Sequence, residues 1–295
     1  MADSAATLTP GSVPGRSLWG EAWLRLRANR AALASAGLLG AIALLSLLAP
    51  WLSPHGFDAI DWERIGAAPD WGSAHYFGTD AVGRDLLART LQGGRISLMV
   101  GIVATAVSAV IGVAYGAVAG YAGGRADGLM MRVVDVLYAL PFMFLVILLM
   151  VIFGRHLVLI FVAIGAVEWL NMARIVRGQT LSLKEQGFVE AARACGAGPG
   201  AILFRHIVPN ALGPVIVYMT LTVPQVILFE SFLSFLGLGV QEPETSWGVL
   251  IAEGARQMES APWTLIFPAS FLAATLFCLN FLGDGLRDAL DPHYR

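Results

Sequence analysis

Two groups of residues in this sequence have types and spacings that could do chemistry. Glu168, Asn171 and Arg174 follow one another at three-residue steps, so a helix places an acid, an amide and a base along one stripe. The second group is the run EAARACGAGPGAILFRHIVP. There Glu190, Ala191, Ala192 and Arg193 precede Gly196, and Arg205 and Pro209 follow it. Phe188, Ala192 and Cys195 recur at helical spacing opposite Glu190 and Arg193, which predicts a short amphipathic helix ended by Gly196. Pro199 suits the first turn of a second short helix that runs to Pro209.

The chemistry of an enzyme is missing. Lys184 is the only lysine and stands outside any Gly-x-x-x-x-Gly-Lys-Ser/Thr phosphate loop. His55, His75, His156, His206 and His293 are scattered without metal-ligand spacing, and Cys195 and Cys278 lie far apart. No nucleophile elbow or His-Glu-x-x-His helix occurs. The sequence therefore assigns no catalytic residue and no metal ligand.

The elements that must position these residues are membrane spans. Hydrophobic residues make up 57% of the chain, charged residues 14%, and the mean hydropathy is +0.69. A soluble domain is about 25% charged. The net charge of -2 says little, because placement of charge decides membrane topology. A helix needs about 20 apolar residues to cross about 30 Å of hydrocarbon. Six stretches meet that length: 31–52, 96–121, 129–153, 157–176, 207–236 and 264–286. Alternating strands of the barrel type are absent, so the expected fold is an all-α membrane bundle of six transmembrane helices.

With the N-terminus cytoplasmic, thirteen of the nineteen basic residues fall on the inner side, Arg16 and Arg295 among them, and six, including Arg155, on the outer. Both termini are therefore expected in the cytoplasm. Residues 1–30 form a cytoplasmic segment whose Leu18, Trp19, Ala22, Trp23 and Leu26 share one face of an interfacial helix. Residues 31–52 are an uncleaved anchor, 53–95 an extracytoplasmic loop, 96–286 a five-helix core, and 287–295 a cytoplasmic tail. The run around Glu190 then falls in a cytoplasmic loop, 177–206.

Glu168, Asn171, Arg174, Glu230 and Asn280 lie within the apolar stretches. A carboxylate at such depth is costly and must face protein or water. Each residue fits either a transport path or a buried polar contact. Gly112, Gly116 and Gly120, every fourth residue, permit close approach of another helix, from this chain or from a partner. Pro141 and Pro224 are expected to kink their helices.

The loop run resembles the EAA loop of permease subunits of ABC importers, in which Glu-Ala-Ala is followed by three residues, a glycine, and a proline thirteen residues later. Glu190, Ala191, Ala192, Gly196 and Pro209 fill those places; His206 and Val208 stand where the family often has isoleucine and leucine. HYFGTDAVGRDLLARTLQGGRISLMVG (75–101), ESFLSFLGLGVQEPETSWGVLI and NFLGDGLRDALDP resemble the peptide and nickel permease branch, and IVRGQTLSLK and DWERIGAAPDWGSAHYFGTD resemble the oligopeptide permease C subunit.

The resemblance implies the type I ABC importer permease fold in a bacterial inner membrane. It implies import of oligopeptides together with a second homologous permease, two ATPase subunits and an extracytoplasmic peptide-binding protein, with no nucleic acid involved. ATP and magnesium would be used by the ATPase partners, and no cofactor would be bound by this chain. Dipeptides, glutathione or nickel complexes remain alternative cargoes. A secondary transporter driven by an ion gradient is a different class; it would call for coupling carboxylates and internal repeats, and no clear repeat is visible.

Overall fold

The computed structural model describes residues 18–154 and 157–290. Arg16, Arg155, His156, His293 and Arg295, and with them the ends of the predicted N-terminal segment and tail, lie outside the described residues. All regular elements among the described residues are helices; the only strand-like pairing is three isolated bridges within residues 60–85.

α1 (Leu18–Ala28) and α2 (Arg30–Leu47) meet at Asn29, whose Oδ1 accepts the N–H groups of Ala31 and Ala32, both at 3.1 Å. That cap satisfies two of the donors a helix start leaves open. α1 packs along the last helix of the chain. Leu48 and Pro50 interrupt the anchor, which continues as the single turn α3 (Ala49–Leu52).

α4 (Leu86–Ala122) begins ten residues before the predicted span, so the loop 53–95 is shorter than expected. Its start is set by Asp85, whose Oδ2 accepts the N–H of Ala88 at 2.8 Å. α7 (Leu157–Leu183) runs along the C-terminal part of α4, and the three glycines are the reason the two lie so close. A Cβ at Gly112 would come within 2.5 Å of the Met172 side chain, one at Gly120 within 2.8 Å of Thr180 Cβ, and one at Gly116 would collide with the Ala173 carbonyl oxygen. The close partner of the glycine stripe is thus a helix of the same chain.

The third predicted span, 129–153, is not one helix. α5 (Gly124–Ala139) and α6 (Phe142–Phe153) are bent by 81° at Leu140 and Pro141. Proline holds the residue before it in extended geometry, and Leu140 has φ -73° and ψ 132°. Pro224, by contrast, lies inside an unbroken helix. Among the described residues five helices, α2, α4, α7, Pro199–Phe235 and Trp263–Leu290, are each long and apolar enough to cross a membrane, and the bent pair makes a sixth if it counts as one span.

After the short α8 (Gly187–Ala194), α9 runs from Pro199 to Phe235 without a break, its segment Ile202–Ile207 wound as a π-helix. α10 (Trp247–Ala255) is too short to span and packs against α9 and against α11 (Trp263–Leu290), which closes the bundle. The core has one cluster around Val100, Ile164 and Leu233, a second under the α8 loop around Met172, Val189 and Ile207, and a third around Ile42, Ile227 and Trp247.

Candidate coupling loop and intramembrane polar residues

α8 ends in a Schellman turn. Gly196 takes φ +82°, its N–H donates to the Arg193 carbonyl at 2.9 Å, and the Ala197 N–H reaches back to the Ala192 carbonyl at 3.0 Å. Residues with a Cβ rarely adopt that φ, while no heavy atom stands within 4 Å of where a Gly196 Cβ would be. Gly196 is therefore required by backbone angle and not by lack of space.

The packed face of α8 differs from the expected one. Val189 is fully buried and Ala192 half-buried against the core, whereas Phe188 is 40% exposed and Cys195 is exposed. The helix is rotated by about one residue, so that the compact, β-branched Val189 and not the bulkier Phe188 packs into the cluster with Met172, Ile202 and Ile207. Glu190, Ala191, Arg193 and Ala194 face outward. Gly187, Glu190, Ala191, Arg193 and Ala194 thus offer a surface of small side chains edged by one acid and one base.

The predicted second short helix is the first part of α9. Ile202, Leu203 and Ile207 bury against Met172 and Val176, while Phe204 and Arg205 stay exposed. Pro209 does not end this helix. A proline removes one helical hydrogen bond and crowds the preceding turn. The wider π-wound turn just before Pro209 takes up that mismatch, so the chain passes from loop to span as one rod. The predicted loop 177–206 contracts accordingly, to the residues between Leu183 and Pro199.

The intramembrane stripe does not act as a pair of opposite charges. Arg174 bonds Asp135 at 2.9 Å and lies 4.3 Å over the Tyr138 ring. Glu168 is 6% exposed and its Oε2 has no hydrogen-bond partner among the described residues. Tyr218 of α9 approaches both Asn171 and Glu168. Glu230 is fully buried between α4, α9 and α10, where it accepts hydroxyl bonds from Ser234 at 2.6 Å, Ser246 at 2.7 Å and Ser97 at 3.4 Å. Asn280 is exposed on α11 and donates back to its own helix, to the Leu276 carbonyl at 2.8 Å. The structure brings Tyr218 into the neighbourhood of Asn171 and Glu168, while Glu230 and Asn280 have separate partners.

A charged framework at the opposite end from the α8 loop escaped sequence reasoning. Arg84 Nε donates to Asp80 at 2.7 Å and its Nη1 to Glu242 at 2.9 Å; Arg89 Nη2 donates to Glu253 at 3.1 Å. Arg89 Nη1 lies 3.1 Å from Asp80 without hydrogen-bond geometry, so that contact is electrostatic only. Burial alone would pull the Arg84 guanidinium down, but Glu242 and Asp80 outweigh it and hold it above its usual range. Burial pushes the Glu253 carboxyl up against the pull of Arg89 and Arg84. The fully buried Trp247 donates from Nε1 to the Thr90 carbonyl at 2.9 Å, and His75 Nδ1 meets Asp85 at 2.9 Å. The signal was present, as paired acids and arginines in GTDAVGRDLLART and QEPETSWGVL, but nothing in a linear sequence pairs residues about 160 positions apart.

Comparison with known proteins adds a family. Residues 112–295 match the family described as binding-protein-dependent transport system inner membrane component, and residues 17–69 match the N-terminal TM domain of oligopeptide transport permease C. The oligopeptide transport system permease protein OppC of Haemophilus influenzae is 58% identical over 95% of this chain and 90% of its own length. OppC of Escherichia coli is 59% identical over 96% and 94%. The dipeptide transport system permease protein DppC of Bacillus subtilis is 46% identical over 96% and 88%. Among solved structures, a chain of the MetNI methionine ABC transporter matches with a TM-score of 0.54 at 20% identity, covering 70% of this chain and 96% of that one; it bears on the fold alone.

Proposed function

The chain belongs to the binding-protein-dependent transport system inner membrane components, as a multi-pass permease subunit of an ABC importer, and from that premise we propose that it moves oligopeptides. The 58% and 59% identity to the OppC proteins of Haemophilus influenzae and Escherichia coli supports that cargo, while within Bacillus subtilis OppC and DppC stand equally far off at 45% and 46%.

The working complex we infer holds this chain, a second related permease, two ATPase subunits that use ATP and magnesium, and an extracytoplasmic peptide-binding protein. Both termini face the cytoplasm, and the chain carries out no chemistry itself. α8 plugs into an ATPase subunit through Glu190, Ala191, Arg193 and Ala194. Movement of α8 passes across the Schellman turn into α9, and a rigid turn followed by an unbroken helix is the observation that carries this reading. Small side chains permit close docking, and Glu190 and Arg193 at the rim set its register. Glu168, Asn171 and Tyr218 form the polar patch along which a peptide passes or against which the second permease packs.

The test is peptide uptake and ATPase co-purification in cells carrying Gly196→Val. A β-branched residue resists a positive φ. Uptake and co-purification are expected to fall together while the subunit stays in the membrane; wild-type levels of both would remove the loop from the coupling role. Competition by peptides of two to six residues, with peptides longer than two expected to compete best, separates the oligopeptide reading from the dipeptide one.

A further inference from the structure

α5 and α6 form a jointed segment with a break at each end. At one end α4 passes into α5 through Gly123 and Gly124, with φ +64° and +55°, two consecutive positive values that only glycine adopts readily. At the other, Leu140 and Pro141 bend the chain by 81°. Few residues able to absorb a change in φ and ψ are enough to make a hinge. The direction of α5 is therefore set by what its side chains hold.

Beside the buried Val134 and the Arg174 contact with the Tyr138 ring, three polar contacts hold it. The Tyr115 hydroxyl of α4 donates to the Met130 carbonyl at 2.9 Å. Arg174 of α7 bonds Asp135, but both side chains are largely open to solvent, at 38% and 61% exposed, and such pairs contribute little. Arg177, one turn further along α7, forks onto Asp127, with Nε to Oδ1 at 2.5 Å and Nη2 to Oδ2 at 2.6 Å, and the Asp127 side chain is only 9% exposed. Two parallel bonds to a buried carboxylate fix direction as well as distance.

Arg177 stands near the base of the coupling loop. α7 is seated against α4 along the glycine stripe, Lys184 just past its end donates to the Gly120 carbonyl at 3.1 Å, and α8 follows two residues later. A shift of α8 thus has two rigid outlets, one through α9 and one backward into the end of α7. We propose that Arg177 and Asp127 are positioning residues of the transport cycle, a clasp that carries movement of the coupling loop into the jointed α5 and α6. The inference rests on the permease reading above and adds a second route to it.

The experiment uses the whole complex, with its ATPases, second permease and binding protein, in proteoliposomes. Peptide uptake and ATP hydrolysis are measured on the same vesicles for wild type, Asp127→Asn, Arg177→Lys and the charge exchange Asp127→Arg with Arg177→Asp. Peptide moved per ATP hydrolysed is expected to fall about 3- to 10-fold in each single variant, within the range by which residues remote from a site alter coupling. The exchange is expected to restore part of it, since an arginine in the first turn of α5 opposes the helix dipole. Thermal midpoints of the detergent-solubilised complex are recorded alongside. An unchanged ratio in both single variants, or lower midpoints with an unchanged ratio, would overturn the clasp. Wild-type vesicles that hydrolyse ATP and move no peptide would refute the transport reading instead, so the two failures are distinct.

Discussion

Ala192 and Ala197 are joined across Gly196 by one backbone bond of 3.0 Å, and both side chains rest on the cluster that contains Met172 and Val189. The pair makes the corner between α8 and α9 a small packed unit. Its stiffness comes from a closed bond and a hydrophobic contact that accompany each other in Schellman turns.

Ala191 and Ala192 are expected to part company under the same substitution. Ala191→Trp extends from the exposed face, so ATPase co-purification falls at an unchanged thermal midpoint of the isolated subunit. Ala192→Trp is driven into the core, where overpacking typically costs about 1 to 3 kcal/mol, so the midpoint itself drops. Thermal unfolding in detergent beside pull-down of the ATPase separates them; identical behaviour would show that the packed face has been misassigned.

Glu230→Leu leaves the hydroxyls of Ser97, Ser234 and Ser246 without their shared acceptor, and Glu230→Gln retains an acceptor oxygen. A buried polar group stripped of its partner costs about 1 to 3 kcal/mol. Membrane abundance is expected to fall strongly for leucine and mildly for glutamine, with the uptake of the remaining protein unaltered. A specific uptake defect at normal abundance would move Glu230 from the framework to the path.

Glu168→Gln keeps the shape of a side chain whose Oε2 has no partner among the described residues. Abundance and subunit assembly are expected to stay normal, while uptake slows if the polar patch lines the path. Equal uptake in wild type and variant, measured at several peptide concentrations, would leave Glu168 only a packing role.

The Arg84 contacts with Asp80 and Glu242 offer a check on the charged framework. Arg84→Met leaves Asp80 short of its strongest donor and frees Glu242, so the loop 53–85 should become open to protease at concentrations that spare the wild type. Equal cleavage rates would show that the three bridges and Asp85 suffice to order it.

The bilayer made most of the architecture legible in sequence. Long apolar runs must be helical, because hydrocarbon supplies no partner for a backbone amide. Five predicted spans therefore appear as long helices, and the turn between α8 and α9 was readable because Gly196 and Pro199 carry local backbone rules. Tertiary structure decided what depends on partners far away in the chain. The α8 face turned by one residue because Val189 packs among Met172, Ile202 and Ile207, and the π-wound turn carried α9 through Pro209. Only the folded chain could show Gly112, Gly116 and Gly120 against α7, Arg174 bound to Asp135 and not to Glu168, and Glu230 ringed by three serines from different segments. Local conformation follows from neighbouring residues, whereas the partner of a charge or of a close-packed glycine is chosen by which helices meet.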